Sequence, residues 1–225
     1  MCNKLLEIAE KNDGYLKKIT DSFLNKKARK NNYKCSLTNR KKPYVGDKIN
    51  IIWMNKKADN GLPHTRYPNI ICLPENIKEE DIEFIILHET VHITQRLYPN
   101  EWNYILEKWN MKPWKGVLPI EINNRIRINP DTINEPLYIW KKRWIVIGLF
   151  RSNSKPNIKK IINTWWDIKK NILVYEPPED WKIFFGDIEG EHPYEMAAYY
   201  ITKLYSNSTF SSIASSILLK YIIDF

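Results

Sequence analysis

Phe84-Ile85-Ile86-Leu87-His88-Glu89-Thr90-Val91-His92 is the stretch around which the rest of the chain organises. Pro74 and the acidic cluster Glu79, Glu80, Asp81 and Glu83 precede it. Negative charge there suits the positive end of a helix dipole, so a helix is expected to start near the cluster. It runs to about Tyr98, and Pro99 stops it. The apolar run Phe84–Leu87 would bury the helix and hold its side chains still. On a helix, positions i and i+4 share one face, which puts the imidazoles of His88 and His92 one turn apart on the same side.

Two imidazoles so placed can grip one zinc ion, and Glu89 projects beside them as a carboxylate able to take a proton from metal-bound water. The plainer reading is two histidines on a half-buried helix. A further histidine six or more residues past His92 is missing: Tyr98 stands at that spacing, and the next histidine is His192. A carboxylate from a second helix is the remaining route. In Glu191-His192-Pro193-Tyr194-Glu195-Met196-Ala197-Ala198, Pro193 fits a first helical turn, so Glu195 sits early on a helix. Ala197 and Ala198 are small enough to let that helix approach closely. Glu195 is the first candidate for third ligand, Glu191 competes with it, and His192 at the cap comes third. A dipole-balancing capping acid is the ordinary alternative for Glu195.

Outward from this pair, residues 3–30 show apolar spacing for one or two amphipathic helices, broken at Asp13-Gly14. Lys48–Met54 and Asn69–Leu73 read as strands of a hairpin with a long polar loop between them. That puts Pro63-His64-Thr65-Arg66 on a loop overhanging the cleft, with His64 exposed, and makes Asn69–Leu73 an edge for an extended substrate. Residues 101–115 suggest another helix. Short β-branched and aromatic runs follow at Arg125–Asn129, Leu137–Trp140, Arg143–Phe150, Lys160–Trp166, Ile172–Tyr175 and Lys182–Phe185, which suit a small antiparallel sheet. Helix returns at Pro193–Tyr205 and near Ser211–Tyr221. Trp165-Trp166 and Trp140 to Trp144 are expected to pack in the core or on the sheet face rather than meet substrate.

The chain has 225 residues and a formal charge of +9, with an ordinary globular composition. Residues 1–60 carry 15 Lys and Arg against 6 Asp and Glu, and the remainder carries 20 of each. The run Lys26–Lys42 holds eight cations and no acid; it suits an acidic partner or nucleic acid, or simply a solvated surface. No apolar stretch approaches the roughly 20 residues that span a bilayer. Three cysteines, Cys2, Cys35 and Cys72, are an odd number without metal-ligand spacing. An intracellular, reducing compartment with no disulfide framework is expected, cytoplasmic or, for a viral chain, in its host cell. Residues 1–45 read as a basic helical segment and 46–225 as the main domain.

His88-Glu89-x-x-His92 together with His192-Pro193-Tyr194-Glu195-Met196-x-Ala198 resembles the gluzincin zinc metallopeptidases. With strands just before the HExxH helix, it looks most like small zincin domains of bacteria and large DNA viruses. The resemblance covers two short stretches, near 88–98 and 191–202, plus the hairpin at 48–73. It implies an α+β, zincin-like fold, with a β-hairpin before the HExxH helix and a small antiparallel sheet inserted before a second metal-ligand helix. It also implies zinc held by His88, His92 and Glu195, Glu89 as general base, and a peptide or protein substrate. The departure is residues 93–194, longer than in compact members. His64, Arg66, Tyr194, Tyr199 and His192 are the candidate donors to an oxyanion.

Overall fold

A computed structural model of the chain describes residues 2–29, 32–188, 190–206 and 212–222. Three helices come first, α1 (Cys2–Asp13), α2 (Tyr15–Asp21) and α3 (Phe23–Ala28). The break at Asp13-Gly14 is where the sequence places it: Gly14 takes a left-handed φ of 60°, and the Asp13 carboxylate accepts from the Tyr15 amide at 3.0 Å. Strands β1 (Asn50–Met54), β2 (His64–Arg66) and β3 (Ile70–Pro74) form a mixed sheet in the order β1-β3-β2. Then come α4 (Ile82–Leu97), α5 (Pro99–Lys108), β4 (Met111–Pro113), α6 (Ile120–Asn123), β5 (Tyr138–Trp140), β6 (Trp144–Phe150), β7 (Ile161–Asp167) and β8 (Ile172–Val174). The five strands β4 to β8 pair antiparallel in sequence order. Helices α7 (Glu179–Phe185), α8 (Pro193–Tyr205) and α9 (Ile213–Ile222) complete an α+β fold.

The first sheet is covered on both faces. Ile52, Met54, Ile70 and Cys72 pack with Ala9 of α1, while Ile51, Trp53, Ile71 and Leu73 pack with Ile82 and Ile93 of α4. Burial on both sides explains why β1 and β3 are continuous apolar runs rather than alternating ones. In the second sheet, Trp165 and Trp166 point to opposite faces, as neighbours in a strand must. Trp165 joins the aromatic core at 5.9 Å from Trp181, and Trp166 meets Trp114 at 5.3 Å.

Several expectations need correction. The two strands read as one hairpin, β1 and β3, pair in parallel; the hairpin before α4 is β2–β3. An apolar run specifies a strand but not its direction, and residues 55–69 supply a strand of their own. Because β3 is central, it offers no free edge to a substrate. His64 and Arg66 lie on buried β2 rather than on an overhanging loop. Arg66 is fully buried and bonds Asp13 through two nitrogens, each at 2.7 Å, and Glu10 at 2.9 Å. Lys182–Phe185 is helix, started by Pro178 and the acids Glu179 and Asp180, so that Trp181 and Phe185 share a buried face. Arg125–Asn129 contributes a single bridge, Ile126 to Leu149, and 111–113 is strand rather than helix.

Cys2 and Cys35 are joined by a disulfide, with Cα atoms 6.2 Å apart, and Cys72 is free and buried. The expectation of no disulfide therefore fails: with an odd count and a sequence separation of 33, nothing local marks the pair. Within the basic run, Arg29 is spent on Asp59 at 2.8 Å, and Arg40 on Glu79 at 2.7 Å. Lys30, in that run, and Ser211, at the start of the last expected helix, lie outside the described residues. Among the described residues, no helix is long and apolar enough to cross a membrane.

Candidate metal centre

Helix α4 turns its Ile82 and Ile93 toward the first sheet, which leaves His88, His92 and Gln95 on another side. Helix α8 is capped by His192, whose Nδ1 accepts from the Tyr194 amide at 3.2 Å while its Nε2–H donates to the Pro136 carbonyl at 3.0 Å. That cap fixes where the first turn starts. Ala197 and Ala198 are fully buried, consistent with the close approach of α4 and α8 expected from their size.

Glu195 then reaches the histidines. His88 Nε2 and His92 Nε2 lie 3.1 Å apart, and Glu195 Oε2 lies 3.5 Å from each. Four ligands placed tetrahedrally at about 2.0–2.1 Å from a zinc ion are about 3.3 Å from one another. The observed triangle has that size, so these three residues could hold a metal ion. Two imidazole nitrogens and one carboxylate oxygen are also the donor chemistry of a zinc site with an open fourth position.

Neighbouring side chains orient two of the three donors, His92 and Glu195. Gln95 Nε2 donates to the Tyr194 carbonyl at 3.0 Å, so its Oε1 is the acceptor facing His92 Nδ1 at 2.9 Å. His92 therefore keeps a proton on Nδ1, and Nε2 is the nitrogen turned toward His88 and Glu195. Asn129 is fixed in the same way. Its Oδ1 accepts from the Asp131 amide at 3.1 Å, and its Nδ2 donates to Glu195 Oε1 at 2.5 Å. That contact occupies one carboxylate oxygen and leaves Oε2 for the cluster. Burial alone would raise the Glu195 carboxyl, but His92 and His88 overcome it and hold it well below the carboxylate range. His92, against the cost of its own burial, is pushed up to about 10 by Glu195. An ion in the triangle would replace that proton.

Glu89 is 4% exposed, and its Oε2 has no hydrogen-bond partner. Burial first, then the charge of Asp131, pushes its carboxyl well above the usual range. Such an unpartnered buried acid is costly as structure alone.

The chain matches no family model, no curated protein and no solved structure.

The other candidates lie elsewhere. Glu191 pairs with Arg127 at 2.8 Å and packs against Gly148 of β6, where an added Cβ would stand 1.9 Å from Glu191 Oε2. His192 is spent on the cap, and its burial holds its pKa down at about 4. His64 faces the Tyr33 hydroxyl at 2.7 Å, away from the triangle. Tyr194 is 1% exposed, packed with Trp102 and Tyr138. Of the expected oxyanion donors, Tyr199 alone is both exposed and beside the cluster, its ring 5.9 Å from that of His88. An open cleft of about 360 Å³ is lined by Glu195 and Tyr199. A cavity of about 1080 Å³ runs between α3, α6 and the second sheet and touches none of the three donors.

Gln95, Asn129 and Arg127 escaped the sequence reading. Gln95 had a signal, since it follows His92 by three positions on the same face. Asn129 and Arg127 had none, because they reach the site from an irregular segment.

Proposed function

We propose that this chain is a zinc-dependent peptidase of gluzincin type. The observation that carries the reading is the arrival of Glu195, from a helix 103 positions along the chain, within 3.5 Å of both histidine nitrogens. His88, His92 and Glu195 would hold the ion. Zinc in such a site supplies Lewis-acid polarisation and acidifies water. Glu89 is the group that accepts the proton: its carboxyl is buried, its Oε2 has no hydrogen-bond partner, and burial makes it more basic than an ordinary carboxylate. Tyr199 is the donor to the developing oxyanion at the cleft. Gln95 and Asn129 position His92 and Glu195.

Zinc analysis combined with cleavage of an unfolded protein tests the reading. Glu195→Ala is expected to lose zinc, whereas Glu191→Ala keeps it. Glu89→Gln should keep zinc and lose cleavage by about 10²–10⁴-fold. Full zinc occupancy in Glu195→Ala would overturn the ligand set.

One observation favours a second reading, a metal-binding protein without general protease activity. The Thr65 amide on the outer edge of β2 is taken by Asp131 Oδ1 at 2.6 Å, so an extended peptide cannot add to the sheet there. Zinc bound with no cleavage of any unfolded substrate selects that reading.

A further inference from the structure

The cleft at Glu195 has charges whose use is not explained by the metal cluster. Its lining includes Arg127, Lys159, Asn163, Glu191, Glu195 and Tyr199. Glu195 faces the two histidines and Glu191 faces Arg127, so both acids have partners. The cations are less fully used. Arg127 gives its Nε to Glu191 at 2.8 Å, which fixes the guanidinium, but its two terminal nitrogens have no hydrogen-bond partner among the described residues. Its side chain stays 18% exposed at the cleft wall. A held guanidinium with a free fork is the geometry that binds a carboxylate through two parallel bonds.

Lys159 comes from the connection between β6 and β7. Residues 151–160 carry Arg151, Lys155, Lys159 and Lys160 and no acid. Ile158 is buried with Leu24, Ala28 and Phe150, which anchors this connection and brings the exposed Lys159 to the cleft. The rim is therefore cationic beside a wall whose own acids are paired, an arrangement that concentrates anionic ligands.

We propose that this cleft selects a carboxylate on its ligand through Arg127 and Lys159, so that the peptide taken is acidic close to the bond presented to the metal cluster. The proposal rests on the peptidase reading and extends it to substrate class. The carboxylate has two sources, an Asp or Glu side chain or the free C-terminus of a short peptide.

The test uses full-length, zinc-loaded Glu89→Gln protein and fluorescein-labelled alanine-rich decapeptides read by anisotropy. One pair carries a single Glu or Gln at the centre; a second pair has a free or an amidated C-terminus. Binding about 10-fold tighter for the carboxylate member of either pair is expected, by analogy with other hydrogen bonds to charged groups, and the favoured pair identifies the source. The preference should weaken with salt and vanish in Lys159→Glu, an exposed position whose change leaves the fold intact. Arg127→Gln should reduce it as well. Equal binding within both pairs, binding of no peptide, or a preference unchanged in both variants overturns the proposal. If wild-type protein cleaves none of the peptides while the carboxylate preference persists, the peptidase reading fails and the selection stands.

Discussion

Replacing Gln95 by leucine removes the amide that presents His92 while keeping a side chain of similar bulk. Two hydrogen bonds go with it, from His92 Nδ1 at 2.9 Å and to the Tyr194 carbonyl at 3.0 Å. At about 1 kcal/mol each, their loss amounts to about 2 kcal/mol, or roughly 30-fold in an equilibrium constant. That falls within the 10–100-fold range typical of the partners that orient metal ligands. The imidazole would also be free to move its proton to Nε2, the nitrogen that must stay bare. Zinc affinity measured by competition with a chromophoric chelator at pH 7.5 should fall by that factor. Urea unfolding of the metal-free proteins separates lost affinity from lost stability. Gln95→Glu is the control: it keeps an acceptor for His92 Nδ1 and gives up only the bond to Tyr194, so zinc affinity should fall by about fivefold at most. A folded Gln95→Leu protein that binds zinc within twofold of wild type would refute the assignment.

Protonation of His192 is a second lever. Its pKa is about 4 when folded and about 6.5 in an unfolded chain, so its stabilising contribution is complete above pH 6.5 and disappears as the pH falls toward 4. At pH 5 the deficit is about 2 kcal/mol, and the gap between urea midpoints at pH 7.5 and 5 should be smaller in His192→Asn. Gly148→Ala should drive Glu191 from its notch and destabilise by about 1–3 kcal/mol in thermal unfolding, with zinc affinity nearly unchanged. Arg66→Met leaves the Asp13 carboxylate buried without its partner, a loss of about 3–5 kcal/mol in urea; adding Asp13→Asn should recover part of it.

How far the sequence could be read depended on how local the governing interaction was. His88, Glu89 and His92 were legible because one helical turn sets their relation. Glu195 was legible because a proline at the first helical position and two alanines describe a helix start that packs closely. Strand β2 was not. His64, Thr65 and Arg66 look like loop residues, and only partners as distant as Asp13, Tyr33 and Asp131 make their burial tolerable. The direction of β1 was hidden for a different reason, since both faces are apolar and carry no sign of which neighbour runs which way. Lys182–Phe185 was misread on its β-branched and aromatic content, although Pro178, Glu179 and Asp180 mark a helix start. Asn129 had no signal because its role exists only once a turn from the middle of the chain meets α8.

The span of chain between α4 and α8 would give metal capture a place in time. During synthesis His88 and His92 emerge first, and at roughly 5–20 residues per second Glu195 follows about 5–20 s later. Until then the two imidazoles form only a half-site, and drawing the third donor in closes a loop of about 100 residues at an entropic cost of about 4 kcal/mol. That cost is met only when α8 has docked on α4. Tight metal retention would therefore belong only to the finished molecule, and a nascent or truncated chain ending before α8 would carry both histidines without the third donor.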